Sequence, residues 1–133
     1  MPTITEIKRA LKFATHETAG VETSATEADY YNKTTYDYLA SDRWLFASIG
    51  VHAIRYFEDE AALHYTVRLD CRLARAFGGR IVEVVYERGL DLYTVKVYRE
   101  TRDGFRIDST NTQLFADQIH AAIYEQISES VSA

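Results

Sequence analysis

Residues 80–100 constrain this chain more than any other stretch. They read R-I-V-E-V-V-Y-E-R, then G-L-D, then L-Y-T-V-K-V-Y-R-E. Val82, Val84 and Tyr86 alternate with Glu83 and Glu87, and Tyr93, Val95 and Val97 alternate with Thr94, Lys96 and Glu100. A period of two, with β-branched and aromatic residues on one side, predicts two half-buried strands. Gly89 between them supplies backbone freedom for a tight connection. The expected unit is an antiparallel hairpin with one dry face, which the flanking segments must cover.

Those segments read mostly as helices. Thr3-Ile4-Thr5-Glu6 is a capping-box pattern opening a helix over 4–18, with Ile4, Ile7, Leu11 and Ala14 on one face and Lys8, Arg9 and Lys12 on the other. Gly20 closes it. Ser24-Ala25-Thr26-Glu27 opens a second helix to about residue 40, with Tyr31, Thr35, Tyr38 and Leu39 inward and Tyr30 and Tyr36 outside that stripe. Ser41-Asp42 breaks it, and 43–49 resumes as helix with Leu45, Phe46 and Ile49 inward and Gly50 as its stop. A short strand is expected over 54–57, followed by the charged turn Glu58-Asp59-Glu60. Leu63, Tyr65, Val67 and Leu69 then alternate with His64, Thr66, Arg68 and Asp70, an amphipathic strand. Residues 74–79 connect it to the hairpin. Thr101-Arg102-Asp103-Gly104 is a turn and 105–107 a short extended piece. Asn111 caps a last helix over 112–128, whose core face is Phe115, Ile119, Ala122, Ile123 and Ile127. The expected fold is α+β, a three- to four-stranded antiparallel meander with the N-terminal and C-terminal helices packed on one face. One domain spans 1–133, with residues 1–20 an accessory helix, 21–127 the core and 128–133 a fraying tail.

A hydrophobic content of 47% with a single proline belongs to an ordered globule. The apolar runs fall short of a membrane span, and the opening M-P-T-I-T-E-I-K has no secretory apolar core. Cys71, the one cysteine, is expected as a small buried residue. A reducing cytoplasm suits these features. The net charge of −5 is unevenly spread: residues 21–60 carry 3 basic and 8 acidic side chains, and residues 61–110 carry 9 and 7. That distribution lacks the dominant basic surface of a nonspecific duplex binder.

No catalytic or ligand motif stands out, and no metal or cofactor is expected. Of the histidines His16, His52, His64 and His120, only His120 has a candidate co-ligand one helical turn away, Asp117, and a third ligand is not evident. Gly78-Gly79-Arg80 lacks the lysine of a phosphate loop and precedes a strand, so it reads as a turn. The arginines of the strand region, with Arg68, Arg72, Arg75 and Arg99 as candidates, could contact phosphates. Acidic residues alternate with them, and cross-strand ion pairing is the commoner use of such mixing. Tyr30, Tyr31, Tyr36, Tyr38, Trp44 and Phe46 form an aromatic cluster that serves either helix packing or a protein interface. In the second case Tyr30, Tyr36, Asp37, Glu58, Asp59 and Glu60 are the candidate contacts.

Three blocks resemble a group of small phage and prophage proteins of unknown function. Residues 39–54, L-A-S-D-R-W-L-F-A-S-I-G-V-H-A-I, are similar to that group's helix-to-strand block. Asp91-Leu92-Tyr93-Thr94-Val95 and Leu114-Phe115-Ala116-Asp117-Gln118-Ile119 resemble its later blocks, which read like Asp-Leu-Tyr-Asp-Val and Val-Tyr-Ala-Asp-Gln-Leu. Order and spacing agree over residues 36–127. Where the group has a lysine-asparagine pair, this chain has Val51-His52-Ala53. The resemblance implies a phage or prophage protein working in a bacterial cytoplasm, and it transfers no functional residue. The expected function is therefore a non-enzymatic accessory protein that binds a host or phage macromolecule, such as an anti-CRISPR-like inhibitor of a bacterial defence system. The alternative is a nucleic-acid-binding accessory using the arginine-bearing sheet. Homo-oligomerisation through the tyrosine-rich helices is a further option.

Overall fold

The computed structural model describes residues 21–23, 30–59, 61–73 and 78–132. The helix expected over 4–18, both capping boxes and most of the 74–79 connection lie outside them. Six strands follow one another across a single sheet in chain order, each antiparallel to the next. They are β1 (Val21–Thr23), β2 (Val51–Glu58), β3 (His64–Arg72), β4 (Gly79–Glu87), β5 (Leu92–Thr101) and β6 (Gly104–Leu114). Helix α1 (Tyr30–Ser41) and the short α2 (Leu45–Ser48) precede β2. A 3₁₀ turn (Ala116–Gln118) leads from β6 into α3 (Ile119–Ser132).

The hairpin is the centre of the sheet. Val82 pairs with Val97, Val84 with Val95 and Tyr86 with Tyr93, so the apolar side of each strand falls on the same face. Tyr65, Val67, Leu69 and Cys71 of β3 continue that face. Over it lie Leu39 of α1, Leu45 and Ile49, and Ile119, Ala122, Ile123 and Ile127 of α3, which together form one buried cluster. The meander with helices on one face is thus the observed α+β architecture, with more strands than the pattern predicted. The hairpin turn departs from expectation in its chemistry. Asp91, not Gly89, takes the left-handed conformation (φ 53°), and the Tyr86 hydroxyl donates to its carboxylate at 2.5 Å.

Three elements differ from the sequence pattern. β6 runs eleven residues where a short extended piece was expected, and the helix predicted from Thr112 begins at Ile119. Asn111 and Leu114 pair with Val95 and Tyr93 instead, and Gln118 Oε1 accepts the backbone N–H of Phe115 at 2.8 Å to start the turn. Phe115, expected in the core, is exposed. At the other end α3 continues to Ser132 with Ser130 buried, in place of a tail fraying from 128. α2 is a single turn, where 43–49 was expected to be helical. In α1 the inner stripe holds Asn32, Thr35 and Leu39, while Tyr38 is exposed. Asn32 reaches across to donate from Nδ2 to the Phe57 carbonyl at 3.1 Å, and this fixes the rotation of the helix.

The largest departure is on the opposite face of the sheet. Thr66, Arg68 and Asp70 of β3, expected as its solvated side, are buried. Arg68 stands directly across from Glu83 on β4, and both are fully buried. Arg68 donates from Nε and Nη2 to Glu83 Oε2, each at 3.1 Å, and its guanidinium lies 4.1 Å from the centre of the Phe57 ring. Burial pushes the Glu83 carboxyl up, opposed by the charge of Arg68 and by a hydrogen bond from Tyr98. Ile81 and Tyr98 pack beside this pair with Phe105, and Arg55 of β2 reaches Asp70 at 3.3 Å.

Two predictions follow from these contacts. Arg68→Met leaves Glu83 as an uncompensated buried carboxylate and should cost about 3–5 kcal/mol at pH 7 by urea unfolding. Its pKa in that folded variant rises further, so the stability lost is restored as pH falls toward the ordinary carboxyl range. Combining it with Glu83→Leu should recover part of the loss, and a double variant no better than additive would refute the pairing. Gly50 sits at φ 65°, and a Cβ there would fall 2.0 Å from the Arg72 carbonyl oxygen. Gly50→Ala should therefore lower stability by about 3 kcal/mol or more, whereas Gly89→Ala, with no atom within 4 Å of its Cβ, should change little.

Candidate functional site

Two surface features carry chemistry. The first is the outer side of the helical layer. Tyr30 is 73% exposed and Trp44 67%, and Tyr38, Phe115 and Tyr124 are exposed too. A hydrogen-bond chain ties the second half of α1 to α3. The Tyr124 hydroxyl donates to Asp42 Oδ2 at 3.1 Å, Asp42 Oδ1 accepts the Trp44 N–H at 3.0 Å, and His120 Nε2 lies 3.3 Å from the Leu39 carbonyl. Tyr38 packs edge-on against Tyr93, the neighbour of Leu114 in the sheet, which places it toward Phe115. Arg43 lies over the Trp44 ring. Beneath this surface Tyr31 stacks on Tyr86 and contacts Tyr65, and Tyr86 meets Tyr93. The exposed rings thus rest on a layer of buried ones.

The expected interface residues are only partly gathered there. Tyr30 and Asp37 are exposed on α1. Tyr36 is half-buried against Phe46, contrary to the exposure expected of it, and lies close to Tyr56. Glu58 and Asp59 sit half-buried at the far end of β2, and Glu60 lies outside the described residues. Asp59 is held in its own turn, accepting from the backbone N–H of Leu63 and His64 and from His64 Nδ1 at 2.7 Å. Burial alone would raise its carboxyl, but these bonds hold it below the ordinary range. Trp44, Phe115 and Tyr124 were missed as interface candidates. The first two had been assigned to the aromatic cluster and the core, and the third shows only once α3 has its observed rotation.

Of the candidate nucleic-acid residues, Arg68 is sealed in its ion pair and cannot meet an external phosphate. Arg72 is exposed and Arg75 lies outside the described residues. Arg99 belongs to the second feature, a cleft of about 450 Å³ between β6 and the end of α3, lined by Arg99, Arg106, Asp108, Gln126 and Glu129 among others. Asp108 occupies a bulge between Ile107, paired with Tyr98, and Ser109, paired with Val97. Arg99 donates from Nε to Asp108 Oδ2 at 2.7 Å and from Nη2 to the Ser130 carbonyl at 2.8 Å. Arg80 donates from Nε to Ser130 Oγ at 2.6 Å, and the Ser130 hydroxyl donates to Asp108. The two arginines therefore cap the carbonyl end of α3, where a cation is favoured. Burial lowers the Arg80 guanidinium, helped by the Arg99 charge and opposed by Asp108. Burial would raise Asp108, but Ser130 and Arg99 outweigh it and the net shift is downward.

No family model matches this chain, and no curated protein or solved structure does either. Among the described residues no helix is long and apolar enough to cross a membrane. Cys71 is buried and its thiol is pushed up to about 12, first by burial and then by Asp70.

Asp108 has a lowered folded pKa, so its contribution to stability is present above the ordinary carboxylate range and lost as pH falls through the folded value. Asp108→Asn should be destabilised by roughly 1–3 kcal/mol at pH 7. The gap from wild type should narrow as pH falls below about 4, read from urea midpoints across pH. A gap independent of pH would rule the charge out as its origin.

Proposed function

We propose that this is a non-enzymatic accessory protein that binds a protein partner through the acidic, aromatic outer surface of its helical layer. The observation that carries the reading is the set of exposed rings Tyr38, Trp44, Phe115 and Tyr124 around the α1–α3 contact, with Tyr30 at the start of α1. Large rigid rings at the surface are the side chains that dominate binding energy at interfaces. Asp37, Asp42, Asp117, Glu125 and Glu129 lie on the same elements against Lys33 and Arg43. The complementary partner surface is basic. The resemblance to phage and prophage proteins supplies the setting, a bacterial cell in which the partner belongs to the host or the phage. An inhibitor of a defence complex that closes a basic nucleic-acid groove fits both the setting and the charge.

The nucleic-acid alternative has less support, because its central arginine is buried and Arg99 is engaged with Asp108 and Ser130.

The test compares wild type with a Trp44→Ser/Tyr124→Ser variant, immobilised and exposed to bacterial lysate at low and moderate salt. Wild type should retain a stoichiometric partner, less of it at the higher salt, and the variant should bind at least about tenfold more weakly. Both side chains are exposed, so circular dichroism should find the variant folded. A partner held equally well by the variant, or none at either salt, would defeat the proposal.

A further inference from the structure

The cleft between β6 and α3 has the composition of a small-ligand site, separate from the aromatic surface. Its floor is fixed: Ser130 and Gln126 are buried, and Arg99 is locked by Asp108 and the Ser130 carbonyl. Gln126 donates from Nε2 to the Val95 carbonyl at 3.0 Å and to Ser109 Oγ at 2.9 Å. These bonds set the orientation of its amide and leave Oε1 as a buried acceptor with no donor, although the residue is only 4% exposed. A buried acceptor without a donor costs free energy. Arg106 stands at the mouth, with its side chain 61% exposed and a single 3.4 Å bond to Asp108. Most of its donor fork has no acceptor among the described residues. Glu129 lies on the same lining and opposes a second negative charge on any guest.

We propose that this cleft binds a small monoanionic oxyacid bearing its own hydroxyl, the anion on Arg106 beside Arg99 and the hydroxyl donating to Gln126 Oε1. The volume of about 450 Å³ is within the range of small-molecule sites and far below what a macromolecular groove presents. Charge-assisted bonds to a guanidinium are the strong ones, and a carboxylate or phosphate matches its fork. The hydroxyl requirement separates the proposed guest from a simple anion. Ile107, half-exposed at the rim, gives such a guest one apolar contact.

Nuclear magnetic resonance titration of the full chain decides it, following the Gln126 side-chain amide and the Ser109 amide. Glycolate tests the hydroxycarboxylate source, inorganic phosphate the phosphate source, and acetate is the anion without a hydroxyl. Saturable shifts at both reporters with glycolate or phosphate, and weaker binding of acetate, are expected. Arg106→Gln should weaken the better probe about tenfold, and Glu129→Gln should tighten it about threefold. Both positions are exposed, so neither variant endangers the fold. Absence of saturable shifts with both glycolate and phosphate would overturn the proposal, as would binding that Arg106→Gln leaves unchanged.

Discussion

Arg68 and Glu83 face one another across the β3–β4 pair, in the middle of a sheet whose central strands are buried on both sides. A charge pair in that position does more than add an ion pair, because it specifies register. Sliding β3 by one residue along β4 would part the two charges inside the protein. It would also turn Val67 and Leu69 away from the helices. The desolvation cost of the two ions means that the pair need contribute little net stability. Its effect lies in the alternatives that it makes expensive. With the β3–β4 register set, Val82, Val84 and Tyr86 must face α1 and α3, and the tyrosine layer beneath the helices follows.

The face toward the helices was legible because hydrophobic alternation at period two has a single meaning on a strand. The opposite face was not. Arg68, Asp70 and Glu83 alternate in the same way whether water or protein lies over them, so a solvated side and a buried charged side share one pattern. Edge strand β6 was invisible for a different reason. Ser109, Thr110, Asn111, Thr112 and Gln113 bury little, so burial writes no period into them, and their polar composition resembles a cap leading into a helix. The rotation of α1 turned on Asn32, an amide that looks like a surface residue until its bond to Phe57 is seen.

The candidate sites follow the same logic. Tyr30 could be read as exposed because it stands outside the apolar stripe of its helix. Trp44 and Phe115 could not, since a large ring beside a core segment looks like part of that core. Nothing local joined Arg99 to Asp108 and Ser130. The first pair meets only because of a bulge, and the third residue arrives from a helix whose end was expected to fray.

The sheet's outer edge bears on which surface a partner protein would use. A long edge strand with open backbone groups invites another strand, and β6 has eleven residues along one side of the sheet. Its geometry works against that use. One irregularity falls at Asp108 and a second between Asn111 and Leu114, where Gln113 takes a positive φ of 58°. Bulges twist an edge out of the flat alignment that strand addition needs. Between them only Ser109, Thr110 and Asn111 pair regularly with β5, a run too short to template an extended segment. The helical layer has no such obstruction. Its rings stand on elements that the hydrogen bonds through Asp42 and Leu39 hold in place, so docking there orders little that is not ordered already.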